Sequence, residues 1–301
     1  MGALNITSAD DRKAPRGPIA QRQAVCQNRA VQRDEDFAPA GRVRAVAYRL
    51  LWTLTHAFQR AGHACMYAAA GLLRKDDFRT ASRLLWRHYG TLIEDVDGGL
   101  EVWERRLYDA VLKPSDRILL AGCGAGRDLL ALREMGYEVT GLDPTPELVD
   151  QARRNLARLG VTAIVREGFI ETSDLEEPYD VVVLAGSCYS LLMTAAARIA
   201  TLARLKAHLT PQGRLVIMYA GAVHRPPFAI HVTRIMSRMA GADWRPEPGD
   251  AFSRDPVVHR LLRYEHLFTP GEVAQECAEA GLRVVRDVRT AGYYVVAVPA
   301  V

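Results

Sequence analysis

The 301-residue chain is short of most features that mark a specialised class. It has five cysteines, Cys26, Cys65, Cys123, Cys188 and Cys277, an odd number, widely separated and with no C-x-x-C pair. That argues against a disulfide framework or a zinc site and fits reduced thiols in a cytoplasmic protein. Histidines, cysteines and acids show no metal-ligand spacing, so no metal is expected. No uncharged run reaches the ~18 residues a membrane span needs. The opening Met1-Gly2-Ala3-Leu4 lacks a basic region followed by an apolar one, which argues against a secretory signal. Charge of one sign is also in short supply. The net charge is +4, and the basic residues are scattered rather than massed in a stripe, so no nucleic-acid partner is expected. No internal repeat is visible.

What is present is ordinary globular material, 49% hydrophobic and 25% charged. Residues 1–41 carry Pro15, Pro18, Pro39 and many charges without periodicity, which reads as a disordered tail. Residues 42–112 read as a helical cap. From Arg42 to about Arg74, Val46, Leu50, Leu54, Ala57, Phe58, Ala61 and Cys65 recur at spacings of three and four, flanked by Arg42, Arg44, Arg49 and Arg60. This helix is expected to cover part of the sheet or the substrate pocket. The alternative is a peripheral membrane contact through 42–74, with the arginines at the headgroups. Further helices are expected over Phe78–Tyr89 and Leu92–Leu112, the latter turning Leu100, Trp103, Leu107 and Val111 inward.

From Pro114 strands and helices alternate. Arg117–Ala121 is a short apolar run of buried-strand type, ended by Gly122-Cys123-Gly124-Ala125-Gly126. Helices over Asp128–Met135 and from Pro146 to about Leu159 flank a second strand, Glu138–Leu142. Strands at Ala163–Val165, Asp180–Leu184 and Arg214–Tyr219 follow, with a helix at Ala195–Leu209 between the last two. Such alternation argues for a parallel sheet covered on both faces. Residues 221–269 interrupt it and read as an insertion over the site. After a helix at Pro270–Ala280, strands Arg283–Val288 and Tyr293–Val298 are close enough to form an antiparallel hairpin.

A glycine-rich turn after a first strand lets a ligand approach the backbone closely, and an acid ending the next strand, Asp143, can accept from ribose hydroxyls. Those two features alone suit a nicotinamide-dependent oxidoreductase as well as other nucleotide-cofactor enzymes. Four ordered motifs separate the readings: Leu119–Gly126 (LLAGCGAG), Gly141–Asp143 (GLD), Tyr179–Leu184, and Leu209–Met218 (LTPQGRLVIM). Together they resemble the class I S-adenosylmethionine-dependent methyltransferases, over about 114–220 plus the C-terminal hairpin.

The resemblance implies an α/β fold with a doubly wound, mostly parallel seven-stranded sheet whose last strand is antiparallel. It implies S-adenosyl-L-methionine as cofactor. Gly122, Gly124 and Gly126, with Ala121 and Cys123, would border the methionine part; Asp143, with Pro144, would hold the ribose. Two departures stand out. Many relatives have an acid two positions before the first glycine, where this chain has Leu120. Many also have an acid after strand three, where Glu167-Gly168 leads to Phe169. Phe169 or Ile170 is therefore expected to pack on the adenine, and the amino-group contact must come from elsewhere. The missing acid, with Gly126-Arg127-Asp128, also resembles the thiol and halide methyltransferase branch.

Methyl transfer from a sulfonium needs alignment more than acid–base chemistry. Ala185-Gly186-Ser187-Cys188-Tyr189 follows strand four at the carboxyl end of the sheet. Ala185 is expected beside the cofactor, and Tyr189 beside the transferred methyl or else packed on the next helix. Cys188 reads as a small buried hydrophobe, and His224, His231 and His88-Tyr89 as surface or packing residues rather than bases. The expected activity is methylation of a small molecule at O, N or S. The alternatives are the oxidoreductase already named and a non-catalytic cofactor-binding subunit.

Overall fold

The computed structural model describes residues 41–89, 96–175, 178–221, 229–255, 258, 260–290 and 292–300. The tail read over 1–41 lies, except for Gly41, outside the described residues, as do His224 and the rest of 222–228. Three helices come first: α1 (Arg42–Gly71), α2 (Lys75–Tyr89) and α3 (Val102–Val111). The α/β body follows as β1 (Arg117–Ala121), α4 (Arg127–Glu134), β2 (Glu138–Asp143), α5 (Pro146–Arg158), β3 (Ile164–Glu167), β4 (Tyr179–Leu184), α6 (Ala195–Ala207) and β5 (Leu209–Met218). Next come α7 (Ala229–Met239), β6 (Asp250–Arg254) and β7 (Leu262–His266), then α8 (Glu272–Glu279), β8 (Leu282–Val288) and β9 (Tyr294–Pro299).

Seven strands form one sheet in the order β3-β2-β1-β4-β5-β9-β8, with β6 and β7 in a separate antiparallel pair. β1 to β5 pair in parallel, and β9 runs antiparallel between β5 and β8. The seven-stranded sheet with an antiparallel last strand is thus as the motifs implied. Its central strands are apolar on both faces because helices cover both. Ile118 and Leu120 of β1, with Val181 and Val183 of β4, enter one core; Leu119 and Ala121, with Val182 and Leu184, enter the other. Truncating one such buried leucine to alanine costs about 2–5 kcal/mol.

A third core joins segments far apart in the chain. Tyr67 and Ala70 from the end of α1 and Phe78 from α2 pack with Ala229 and Ile230 of α7, Trp244, Phe252 of β6 and Tyr264 of β7. Polar contacts fix the junction: the Trp244 indole N–H donates to the Leu73 carbonyl (2.8 Å), and the Thr233 hydroxyl to that of Tyr67 (2.9 Å). Gly71 leaves room here, since a Cβ would stand 2.6 Å from the Thr233 carbonyl oxygen.

The helix at 42–74 departs from expectation. Only its last turns dock. Val46, Leu50, Leu54 and Phe58, expected to cover the sheet or pocket, are exposed, as are Leu51 and Trp52. The third helix is shorter than read, beginning at Val102; Leu107 is buried as expected, with Leu100, Trp103 and Val111 packed beside it.

Candidate active site

The chain reverses out of β1 through Gly122, whose N–H donates to the Leu142 carbonyl of β2 (2.7 Å). Gly122 has φ +77° and Gly124 φ +54°, left-handed values that a side chain makes costly. Their surroundings differ. A Cβ on Gly122 would fall 1.9 Å from Cys188 Sγ, whereas one on Gly124 meets nothing within 4 Å. The backbone at Gly124 therefore faces open space, as a cradle for a ligand would. The turn ends at Gly126, which opens α4.

Asp143, at the end of β2, clamps this turn. Its Oδ2 accepts from the Gly124 N–H (2.9 Å) and its Oδ1 from the Thr145 N–H (2.9 Å). Burial raises its pKa above the usual carboxylate value, and the two backbone donors hold it back. The carboxyl thus sits directly beside the glycine turn, at the carboxyl edge of the parallel strands, where ligands bind in such sheets.

The other predicted residues divide. Ala121 and Ala185 are buried and joined by the Ala185 N–H to Ala121 carbonyl bond (3.0 Å), which ties the ends of β1 and β4. Cys123 is buried, and burial pushes its thiol well above its ordinary pKa. Burial likewise raises Cys188, to about 12, so both stay protonated and neither is an activated nucleophile. Pro144 is half-buried beside the start of α5. Phe169 is half-buried with the Arg79 and Arg83 guanidinium carbons 5.3 and 5.8 Å from its ring centre, while Ile170 belongs to the core beneath. Of that pair, only Phe169 presents a face near the surface.

Tyr189 is fully buried. Its ring stacks on Phe268 (5.2 Å), and its hydroxyl donates to Glu276 Oε2 at 2.5 Å. Its packing role is thus realised, and the hydroxyl already has a partner. Glu276 in turn receives two nitrogens of Arg198, itself without exposed surface, which also reaches Glu247 (3.1 Å). Beyond it, His266 lies between Asp250 (Nδ1–Oδ1 2.8 Å) and Glu272 (Nε2–Oε1 2.9 Å), and the Tyr264 hydroxyl donates to Asp250. Glu247, Asp250 and His266 offer ligating atoms within 4.8 Å of one another. Each is already engaged, with Arg198 on one carboxylate and a carboxylate on each imidazole nitrogen, so this is an ion-pair network rather than a metal cage.

Two further groups were invisible to sequence reading. The first lies at the entrance to α4. Arg127 bridges Glu104 (2.6 Å) and Asp128 (2.7 Å), and Asp128 also accepts from the Tyr108 hydroxyl (2.9 Å). Burial, then the Asp128 charge, lifts Glu104 to about 7. The only local sign was Asp128 directly after the glycine turn. The second is Glu265 on β7, buried, with Arg263 3.5 Å away and one carboxylate oxygen lacking a hydrogen bond. That oxygen, Oε1, is the one Arg263 faces, so it is ion-paired but makes no hydrogen bond.

A cleft of about 470 Å³ is lined by Leu84, Arg87 and His88 of α2 and by Val258, Arg260 and Leu261. A smaller one of about 170 Å³ continues along α2, from Thr80 to Arg87, to Pro146 and Glu147 at the start of α5. The described helices include none long and apolar enough to cross a membrane.

Comparison with known proteins bears on the fold and the family. Residues 119–215 match the family model of a methyltransferase domain. Protein-L-isoaspartate O-methyltransferase of Methylorubrum extorquens is 36% identical over 107 residues, covering 35% of this chain and 42% of its own. Ribosomal protein L11 methyltransferase of Thermus thermophilus is 31% identical over 136 residues, covering 45% and 48%. The chain thus spans less than half the length of these relatives. A SAM-dependent methyltransferase structure from Methanosarcina mazei superposes with a TM-score of 0.52 at 19% identity, over 67% of this chain and 99% of its own, a likeness of fold.

Proposed function

Starting from a chain that carries a class I S-adenosylmethionine-dependent methyltransferase domain, we propose that it transfers a methyl group directly, in line, to a small-molecule acceptor. The observation that carries the cofactor half of this reading is the Asp143 clamp. A carboxylate held by the Gly124 N–H stands beside backbone that, at Gly124, has open space above it. When bound, S-adenosylmethionine supplies a methyl on a sulfonium that is already a good leaving group.

The chain's own residues position the reactants. Asp143 accepts from ribose hydroxyls, Phe169 gives a flat apolar face to the adenine, and the backbone of Gly122–Gly126 lies along the methionine part. Arg127 at the start of α4 provides a cation for the carboxylate end, while Glu104 and Asp128 offer the acids missing at Leu120. None of these groups must move a proton for the methyl to pass; their work is alignment, which converts a bimolecular step into an effectively unimolecular one.

The acceptor half rests on the cap. α2, α7 and the β6–β7 pair share one core, and the larger cleft on α2, about 470 Å³, has the volume of a small-ligand site. We assign Glu265, whose Oε1 faces Arg263 at 3.5 Å without a hydrogen bond, to a polar hydrogen on the acceptor. The antiparallel β9 and the family match speak against the nicotinamide reading. In the deciding experiment, S-adenosylhomocysteine raises the melting temperature and NAD does not, and a metabolite panel with methyl-labelled cofactor then yields a labelled product of low mass. Stabilisation by NAD alone would overturn the cofactor assignment. Label appearing only on protein or RNA would overturn the acceptor class. Absence of turnover with any acceptor, despite tight cofactor binding, would favour the non-catalytic subunit.

A further inference from the structure

The exposed part of α1 has no role in the site, yet it is chemically the most unusual surface of the chain. Over Arg42–His63 nearly every residue is exposed, so this length, about 33 Å at 1.5 Å per residue, stands clear of the body that holds Tyr67 and Ala70. At about 100° per residue, Val43, Val46, Leu50, Leu54 and Phe58 fall within an arc of about 120°, with Ala57 and Ala61 between them and Leu51 at its edge. Phe58 is 75% and Leu51 66% exposed. Monomeric soluble proteins seldom leave an apolar strip of this length in water.

Charge says what covers it. Arg42, Arg49 and Arg60 flank one edge of the strip at about 40–60°, Arg44 flanks the other at about 40°, and His56 and His63 lie on the opposite side. No acidic residue occurs between Arg42 and Lys75. Trp52 and Tyr48 stack on one another (5.9 Å) on the polar side, away from the strip, and take no part in it. A second copy of α1 laid on the strip would bring arginine to arginine with no carboxylate to answer it, whereas paired helices use opposite charges at their flanks. A polynucleotide would take the arginines but leave the strip in water. An anionic lipid surface satisfies both: acyl chains accept Val46, Leu50, Leu54 and Phe58, and headgroup phosphates accept the arginines.

We propose that residues 42–63 are an interfacial helix that seats the protein on anionic membranes, with the α/β body held off the surface by the Tyr67–Gly71 junction. This goes beyond the methyltransferase reading and does not rest on it. The test is flotation of the full chain with vesicles of phosphatidylcholine, alone or with about a third phosphatidylglycerol. Capture should be at least tenfold greater on the anionic vesicles, and should fall as salt shortens the Debye length from about 10 Å at 0.1 M to about 3 Å at 1 M. The variant L50E/F58E should lose capture at least tenfold while keeping the parent's circular dichroism and S-adenosylhomocysteine affinity, because both side chains already face water. Equal capture of parent and variant, or no preference for anionic vesicles, would overturn the proposal. So would sedimentation of the vesicle-free parent as a dimer that L50E/F58E dissociates, since a second copy would then cover the strip.

Discussion

Asp143 offers the sharpest test of the site, because affinity and stability should respond to it differently. In the free protein its two oxygens accept from the N–H groups of Gly124 and Thr145, each at 2.9 Å. Asparagine in its place keeps the shape but can serve only one of those donors, and turns an NH₂ toward the other. For the cofactor, Asp143→Asn removes a charged acceptor of ribose hydroxyls, a loss of about 1.5–3 kcal/mol, or a rise in Kd of about 10- to 150-fold. The fold loses less. Burial holds the Asp143 pKa above its ordinary value, so its ionised form carries a desolvation cost that the neutral amide escapes. That relief offsets part of the lost backbone pairing, and the unfolding free energy should change by no more than about 1 kcal/mol. Calorimetry with S-adenosylhomocysteine and a urea titration measure the two quantities. A dissociation constant within twofold of the parent's would remove Asp143 from the cofactor site. A stability loss as large as the affinity loss would make it a structural clamp only.

Other perturbations follow from the same geometry. Gly124→Val should abolish cofactor binding with the chain still folded, whereas Gly122→Ala should also lower the melting temperature; adding Cys188→Ala to Gly122→Ala should restore part of that loss by removing the sulfur 1.9 Å away. Circular dichroism and S-adenosylhomocysteine titrations read both, and equal behaviour of the two glycines would contradict the cradle. Arg198→Met strands the buried Glu276 and its neighbour Glu247, at about 3–5 kcal/mol, or roughly 6–20 °C in melting temperature; a shift under about 2 °C would show the network to be dispensable. For His266, burial pulls the pKa down but Asp250 and Glu272 outweigh it and hold it above 6.5. Glu272 is raised by burial, yet brought to about 2 by His266 and Thr269. The stability from this pair is therefore complete between about pH 4.5 and 6.5. It is lost above that range as His266 deprotonates, and below it as Glu272 protonates toward pH 2. Melting curves of the parent and His266→Gln should converge at both extremes, and parallel curves would refute the pairing.

Much of the body was legible in the sequence because its signals are local. β1, β4 and the Leu215–Met218 end of β5 are short apolar runs that only a sheet covered on both faces can bury, and β1 and β4 each end one or two residues before a glycine. Asp143 was found because an acid ending the second strand must come back beside the first turn once β1 and β2 pair. What stayed hidden depends on partners distant in the chain. Arg198 and Glu276 sit on different helices, and no spacing in either segment foretells their meeting. Phe169 and Ile170 are neighbours, so pattern could not say which faces the surface; the structure sends Ile170 into the core.

The helix at 42–74 shows the limit most clearly. Spacings of three and four report that an apolar stripe exists, not what it meets, and burial was inferred because stripes usually find a core. The third core explains why this one does not. Its seat is filled by Tyr67 and Ala70 from the last turns of α1 and by Phe78 of α2, which pack on Trp244, Phe252 and Tyr264. Among the described residues, nearly all of those from Arg42 to His63 are left exposed beyond the edge of that core. The division matters for function, because the docked end of α1 and the β6–β7 pair, which we propose covers the acceptor, are parts of one packed unit. Changes at Tyr67 or Phe252, whose rings meet edge to face at 5.0 Å, should therefore disturb acceptor turnover and cap stability together. Changes at Leu50 or Phe58 should leave both as they are.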